Sequence, residues 1–157
     1  MQNTVAAVGT FGGTVGTLME ITEAPPKRLA SITVYVTQND GGNASRVCAI
    51  SFTYFDDDGK DHKVGPWGCE ITDEVTPNQV NIKGHERVIE ISGTADGNIK
   101  SLNISTNYGI TYPFGDKNVG KEFKIPVHNS AIVGFFALTS GIGLNAVGAY
   151  VIPENKH

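Results

Sequence analysis

Glycine is the residue type that most constrains how this chain can fold, because it occupies 19 of the 157 positions. Globular proteins usually contain about 7% glycine, and this chain has nearly twice that share. Each glycine inside a helix costs about 1 kcal/mol of helix stability relative to alanine. Glycine also adopts positive φ freely, as tight turns require. The composition therefore disfavours a helical bundle and predicts a fold with many turns.

Alternation of apolar and polar residues predicts strands between these turns. Over residues 31–37 the side chains of Ile32, Val34 and Val36 share one face, and residues 48–54 alternate in the same way. No capped amphipathic helix is apparent, so we predict an all-β fold. Further β-branched and aromatic runs predict strands at 89–92, 101–106, 122–125, 132–138 and 144–152. Clusters of Asp, Asn and Gly predict turns at 40–43, 56–59 and 96–98.

The length and charge of the chain suit a single globular domain, residues 1–157. A net charge of −4 with scattered Lys and Arg gives no electrostatic footprint for nucleic acid. Residues 131–152 are uncharged, but they contain polar residues and four glycines, so we predict two strands around a turn and no membrane insertion. The first residues lack the basic and long apolar stretches of a signal peptide, so we expect the mature chain to start here and to be cytoplasmic.

Neither cysteines nor histidines indicate a metal, a cofactor or a catalytic centre. Cys48 and Cys69 are too few for a disulfide framework in a chain of this size, and we expect free thiols. The Asp-rich turn at 56–59 lacks the alternate acidic spacing and distal Glu of a calcium loop, so a solvated turn is expected. Three histidines fit no metal-ligand spacing and pair with no nucleophile motif: His62, His85 and His128.

A faint repeat consists of an aromatic residue followed by glycine. It occurs at Phe11-Gly12, Trp67-Gly68 and Phe114-Gly115, with separations of 56 and 47 residues. Periods of roughly 50 residues indicate three similar β units, although such pairs are also common in unrelated turns. Trp67 has two interpretations, packing beneath its loop, which is favoured, or exposing a ring face that stacks on a ligand.

Several segments, in order and spacing, resemble the jacalin-related lectins, especially the mannose-binding, cytosolic plant branch. The resemblance covers nearly the whole chain. It implies a β-prism I of three four-stranded Greek-key antiparallel sheets with pseudo-threefold symmetry. It also implies carbohydrate binding without metal, cofactor or catalysis. The segments that carry it are GTFGGTVG (9–16), ISFTYFDDDGKDHKVGPWG (50–68), VIEISG (88–93), SLNISTNYGITYPFG (101–115), IVGFFALTSG (132–141) and LNAVGAYV (144–151).

The resemblance also implies a binding site at one end of the prism. Gly13 matches the second glycine of the N-terminal turn and would donate its backbone N–H to a sugar hydroxyl. Ile142 and Gly143 lie in the family's Gly-x-x-x-Asp loop and would present further N–H donors. Asn145 occupies the position of the family's Asp, which accepts from two sugar hydroxyls. The turn that begins at Asp96 matches the loop that forms a third wall.

Asn145 is the main departure from the family pattern. An amide replaces one acceptor oxygen of a carboxylate by an NH₂ donor and lacks the charge that strengthens such hydrogen bonds. Residues 40–46 lack the motif that gives some relatives a second site, so we expect one site per chain, and Cys69 replaces a glycine expected after Gly68. The expected partners are mannose- or glucose-type glycans or glycoproteins, and a homodimer. The alternative is a protein-interaction or oligomerisation module whose sugar site is weakened or lost.

Overall fold

The computed structural model describes residues 5–38, 45–127 and 129–154, and the predicted all-β class is confirmed there. These residues form twelve strands and no helix. The strands are β1 (Ala6–Gly12), β2 (Thr17–Met19), β3 (Arg28–Thr37), β4 (Val47–Phe55), β5 (Asp61–Gly68), β6 (Val75–Asn81), β7 (Val88–Asp96), β8 (Asn98–Thr106), β9 (Thr111–Gly115), β10 (Lys121–Ile125), β11 (Ser130–Ser140) and β12 (Gly143–Pro153).

The strands pair antiparallel into two sheets, where three separate sheets were expected. One sheet has the order β5-β4-β3-β6. The other has eight strands, with the order β1-β12-β11-β7-β8-β9, while β2 pairs with β11 and β10 pairs with β7. Strands β11 and β7 meet at a single residue pair, Ile132 and Val88.

The two sheets enclose an apolar core that contains a cluster of aromatic rings. Phe52 of β4 lies 5.6 Å from Trp67 and 5.3 Å from Phe135 of β11, both in edge-to-face geometry. Tyr54, also buried, lies 6.2 Å from Phe52. Because Trp67 is only 7% exposed, its structural role is confirmed and it does not offer a ring face to a sugar.

The uncharged segment 131–152 forms most of β11 and β12, which pair with each other. The prediction of two strands around a turn is therefore confirmed. Among the residues with described positions, no helix is long and apolar enough to cross a membrane.

The predicted free thiols are wrong, because Cys48 and Cys69 form a disulfide with a Cα–Cα distance of 5.4 Å. The register of β4 and β5 places Ala49 opposite Gly68, which brings the two neighbouring cysteines together. The backbone N–H of Cys69 also donates to the carbonyl oxygen of Cys48 at 2.9 Å. This pairing depends on strand register, which the separation of 21 residues does not reveal.

The three aromatic-glycine pairs have a common position in the fold. They lie at the ends of β1, β5 and β9, and each of these strands is at one end of the strand order of its sheet. Gly12, Gly68 and Gly115 all have positive φ. A Cβ at any of them would press on the backbone of the adjacent strand, so each of these three strands ends on a residue that only glycine suits.

Candidate functional site

The β11–β12 turn and the connection between β1 and β2 form one loop cluster at an end of the molecule. Strand β1 pairs with β12, with Gly12 opposite Ala146. Strand β2 pairs with β11, with Thr17 opposite Thr139. Both ends of the connection at 13–16 are therefore fixed to the same hairpin, and the connection lies against residues 140–145.

Asn145 connects the two parts of this cluster through its side chain. Its Nδ2 donates a hydrogen bond to the carbonyl oxygen of Val15 at 2.9 Å. Its Oδ1 accepts a hydrogen bond from the hydroxyl of Ser140 at 3.2 Å. The residue is only 3% exposed. Both ends of the amide therefore bind protein groups, and one N–H and one lone pair have no partner among the described residues.

Gly13 lies in the cluster, but its backbone N–H already has a partner inside the protein. It donates to the carbonyl oxygen of Asn145 at 2.8 Å. In the structure this N–H joins the backbones of the two loops, and the donation from Gly13 to a sugar stays a prediction. A Cβ on Gly13 would overlap the carbonyl oxygen of Gly97. Gly13 thus allows the turn that begins at Asp96 to approach, and Asp96 itself is exposed at the end of β7.

Gly16 is a site residue that sequence reasoning missed. It has a φ of +140°, and a Cβ there would lie 3.3 Å from Nδ2 of Asn145 and 2.8 Å from the carbonyl oxygen of Thr139. Gly16, and not Gly13, is therefore the glycine that lies beside the Asn145 side chain. The sequence contained one signal for Gly16, because the segment GTFGGTVG ends on a third glycine group at this position.

Ile142 and Gly143 both lie in the β11–β12 turn of the cluster, and their role in binding stays a prediction. Ile142 is 60% exposed, and its carbonyl oxygen accepts a hydrogen bond from Nη2 of Arg46 at 2.7 Å. Gly143 is buried with a φ of +141°, and a Cβ there would lie 2.8 Å from Nη1 of Arg46 and 3.0 Å from the carbonyl oxygen of Cys48. Arg46, which was not predicted from the sequence to contact this loop, therefore holds the loop in place through its guanidinium.

Burial lowers the pKa of the Arg46 guanidinium below its ordinary value. The loop at 40–46 lies mostly outside the described residues, as does His128. Within the described ranges, no group of three or more His, Cys, Asp or Glu side chains could hold a metal ion.

The overall fold of this chain is similar to that of lectins with solved structures. AcmJRL, described as a mannose-binding jacalin-related lectin from Ananas comosus, superposes with a TM-score of 0.77 at 29% identity, over 96% of this chain and 99% of that one. Calsepa lectin, solved in complex with a biantennary N-glycan, superposes with a TM-score of 0.73 at 25% identity, over 98% of this chain and 99% of that one.

Comparison of the amino-acid sequence with known families and proteins agrees with this structural similarity. The family model described as the Jacalin-like lectin domain matches residues 8–150, so the chain belongs to the jacalin-like lectins. Horcolin from Hordeum vulgare subsp. vulgare is 33% identical over 153 residues, which cover 93% of this chain and 96% of Horcolin. The resemblance stated from the sequence is confirmed.

Proposed function

We propose that the protein binds mannose- or glucose-type glycans at one metal-independent site per chain, without catalysing a reaction. The site is the loop cluster of residues 13–16, the turn at 96–98 and the β11–β12 turn. Family membership supports this proposal, as do the mannose-binding description of AcmJRL and the N-glycan bound to Calsepa lectin.

We also propose that the two sheets correspond to three faces of a β-prism with pseudo-threefold symmetry. The single contact between Ile132 and Val88 joins two four-stranded groups, β1-β12-β11-β2 and β9-β8-β7-β10. The order β5-β4-β3-β6 provides a third group of the same form. The common position of the aromatic-glycine pairs supports this threefold division.

The observation that carries the binding proposal is the convergence of two loops on Asn145. Its remaining N–H and lone pair allow one contact in each direction with a hydroxyl, since a hydroxyl both donates and accepts. Ile142 and Gly143 provide backbone at the same edge, and Asp96 supplies a carboxylate from the third loop. This set of short polar groups suits a shallow carbohydrate site.

A specific observation favours the alternative, a prism that serves as a protein-interaction or oligomerisation module with a weakened sugar site. Asn145 is neutral, and both ends of its amide already bind Val15 and Ser140. A neutral amide makes weaker hydrogen bonds to sugar hydroxyls than a carboxylate does.

Glycan-array binding and calorimetry with mannose, applied to the parent and to Asn145→Asp, distinguish the two functions. We expect the parent to bind and the variant, which has the family's carboxylate, to bind more tightly by about 1–2 kcal/mol, a factor of roughly 5–30 in Kd. The control is Asn81→Asp, an exposed position on β6 that gains the same charge. A parent that binds no glycan, whether or not the variant recovers binding, would contradict the lectin proposal.

Cytoplasmic residence and a homodimer stay predictions. The Cys48–Cys69 disulfide opposes cytoplasmic residence, because disulfides persist mainly in oxidising compartments. Thiol labelling of the protein taken directly from its source tissue tests cytoplasmic residence, since free thiols are expected there. Light scattering coupled to gel filtration measures whether the protein is a dimer. A dimer would raise the apparent affinity for glycan surfaces through multivalency.

A further inference from the structure

A second groove lies at the opposite end of the strands from the candidate carbohydrate site. It has a volume of about 770 Å³, and its lining includes Arg28, Arg87 and residues from the end of β12. Strand β12 runs from Asn145 near one end to Pro153 at the other, a separation of about 26 Å at the usual rise of a strand. The groove is therefore distinct from the loop cluster around Asn145.

Two arginines converge at this groove. Nη2 of Arg28 donates to the carbonyl oxygen of Gly84 at 3.0 Å, and Nη1 of Arg87 donates to the same oxygen at 3.4 Å. The two nitrogens share one acceptor and therefore lie within about 6.5 Å of each other, so the like charges of the two guanidiniums repel. Lys27 adds a third cation to the lining.

None of these three cations has an ion pair in the part of the chain that is described. The carboxylates recorded within 4.0 Å of a basic nitrogen belong to other pairs, those of His62 and Lys124. Nε of Arg28 is buried and has no hydrogen-bond partner among the described residues. Four carboxylates do lie nearby: Asp56, Asp57 and Glu154 in the groove lining, and Glu86 beside Arg28 and Arg87 in a small adjoining cavity.

Arg87 is held in place before any ligand arrives. Oδ1 of Asn107 accepts from the backbone N–H of Arg87 at 2.7 Å, and the N–H of Asn107 donates to the carbonyl oxygen of Arg87 at 3.0 Å. Nδ2 of Asn107 also donates to the carbonyl oxygen of His85 at 3.1 Å. Nη1 of Arg87 also donates to the carbonyl oxygen of Glu86 at 2.9 Å, and a guanidinium held in this way loses less freedom when it binds a ligand.

We propose that this groove binds a small anionic ring compound, a sugar that carries a carboxylate, sulfate or phosphate group. The two guanidiniums provide the paired planar donors that oxyanions prefer. Phe55, Ile152 and Pro153 line the same groove and offer apolar surface to the C–H face of a ring. Asp57 and Glu154, both exposed, provide acceptors for the ring hydroxyls.

Amide NMR titrations of the whole protein with glucuronate, glucose and inorganic sulfate test the proposal. We expect glucuronate to shift the signals of Gly84, Arg87 and Asn107 in a saturable way, and glucose to leave them unchanged. Arg87→Gln keeps the backbone contacts of Asn107 and removes the charge, so it should raise the Kd for glucuronate about 10-fold or more. Lys124→Gln removes an equal charge from the exposed ion pair with Glu90 and should change this Kd less than about 2-fold.

Arg28→Gln is the second variant, and a thermal melt establishes whether it folds. If it does not fold, Arg87→Gln decides the question by itself. An absence of saturable shifts, an unchanged Kd in Arg87→Gln, or an equal loss in Lys124→Gln would overturn the proposal. Equal affinities for sulfate and glucuronate would show that the sugar ring contributes nothing to binding, and would overturn that part of the proposal. A titration with mannose reports on Gly16 and Asn145 instead, so failure here is distinguishable from failure of the proposed lectin function.

Discussion

At the scale of single residues, the amide of Asn145 explains how the two loops of the candidate site are joined without a charge at position 145. The carbonyl oxygen of Val15 needs a donor, and the hydroxyl of Ser140 donates to the other end of the amide. A carboxylate accepts from Ser140 but has no proton for Val15. The same substitution that adds charge for a sugar therefore removes a contact within the loop cluster.

Gly16 is a position in this cluster where both the backbone conformation and the neighbouring atoms oppose a side chain. Gly16→Ala places a Cβ at a φ of +140° and 2.8 Å from the carbonyl oxygen of Thr139. We expect this variant to lower the free energy of unfolding by about 1–3 kcal/mol and to weaken mannose binding. The matched control is Gly141→Ala in the adjacent turn, where a Cβ meets nothing within 4 Å. Urea denaturation measures both, and equal stability of the two variants would contradict the placement of Gly16.

At the scale of strands and their connections, His62 of β5 links the segment before β3 to the β4–β5 turn. Its Nδ1 lies 2.5 Å from Oε2 of Glu23, and its Nε2 lies 2.8 Å from Oδ2 of Asp56. Its ring stacks on Tyr54 with a centroid distance of 4.9 Å. The hydrogen bond to Asp56, and then that to Glu23, raise the pKa of His62 above its ordinary value of 6.5. The hydrogen bond with His62, followed by that from the N–H of Lys60, lowers the pKa of Asp56 below 3.8.

These shifts predict how stability depends on pH. Because the pKa of His62 is raised on folding, its contribution is complete below pH 6.5 and is lost as pH rises through the raised value. Because the pKa of Asp56 is lowered, its contribution is present above pH 3.8 and is lost as pH falls through the lowered value. Urea denaturation at a series of pH values measures this profile. His62→Gln should flatten the loss on the alkaline side, His85→Gln should not, and identical profiles for both variants would refute the role of His62.

The Cys48–Cys69 disulfide fixes the end of β5 to β4 beside the candidate site. Replacing both cysteines by serine should lower the free energy of unfolding by about 2–4 kcal/mol, as typical disulfides contribute. Mass spectrometry with and without reductant counts the thiols, and urea denaturation measures the stability. Dithiothreitol should destabilise the parent and leave the double-serine protein unchanged. Two free thiols in the unreduced parent would show that the disulfide is absent.

Strands with a regular apolar pattern were predictable from the sequence, as β3 and β4 illustrate. Five strands were missed, and they carry polar residues, glycine or proline in place of an alternating pattern: β1, β2, β5, β6 and β9. The loop at 141–145 was found only through resemblance to the family. The contacts of Gly16 and Arg46, and the disulfide, depend on how strands pair and in which register, which local sequence does not encode.

At the scale of the whole molecule, the aromatic cluster joins the two sheets into one cooperative unit. Phe52 belongs to the four-stranded sheet, and Phe135, on β11, belongs to the eight-stranded sheet. Their edge-to-face contact adds to the burial of apolar area between the sheets. If this contact is central, a change at Phe52 should affect both sheets together and should not loosen one of them alone.

Phe52→Ala tests this cooperativity. Phe52 is 3% exposed and contacts both Trp67 and Phe135, so we expect a loss of about 3–5 kcal/mol from the free energy of unfolding. The fluorescence of Trp67 reports on the four-stranded sheet, and amide exchange of β12 reports on the eight-stranded sheet. The two probes should give the same denaturation midpoint in the parent and in the variant, because a shared core unfolds as one unit. Leu18→Ala, at a position 52% exposed, should leave the midpoint nearly unchanged. Separate midpoints in the parent would show that the sheets unfold independently and that the cluster does not join them.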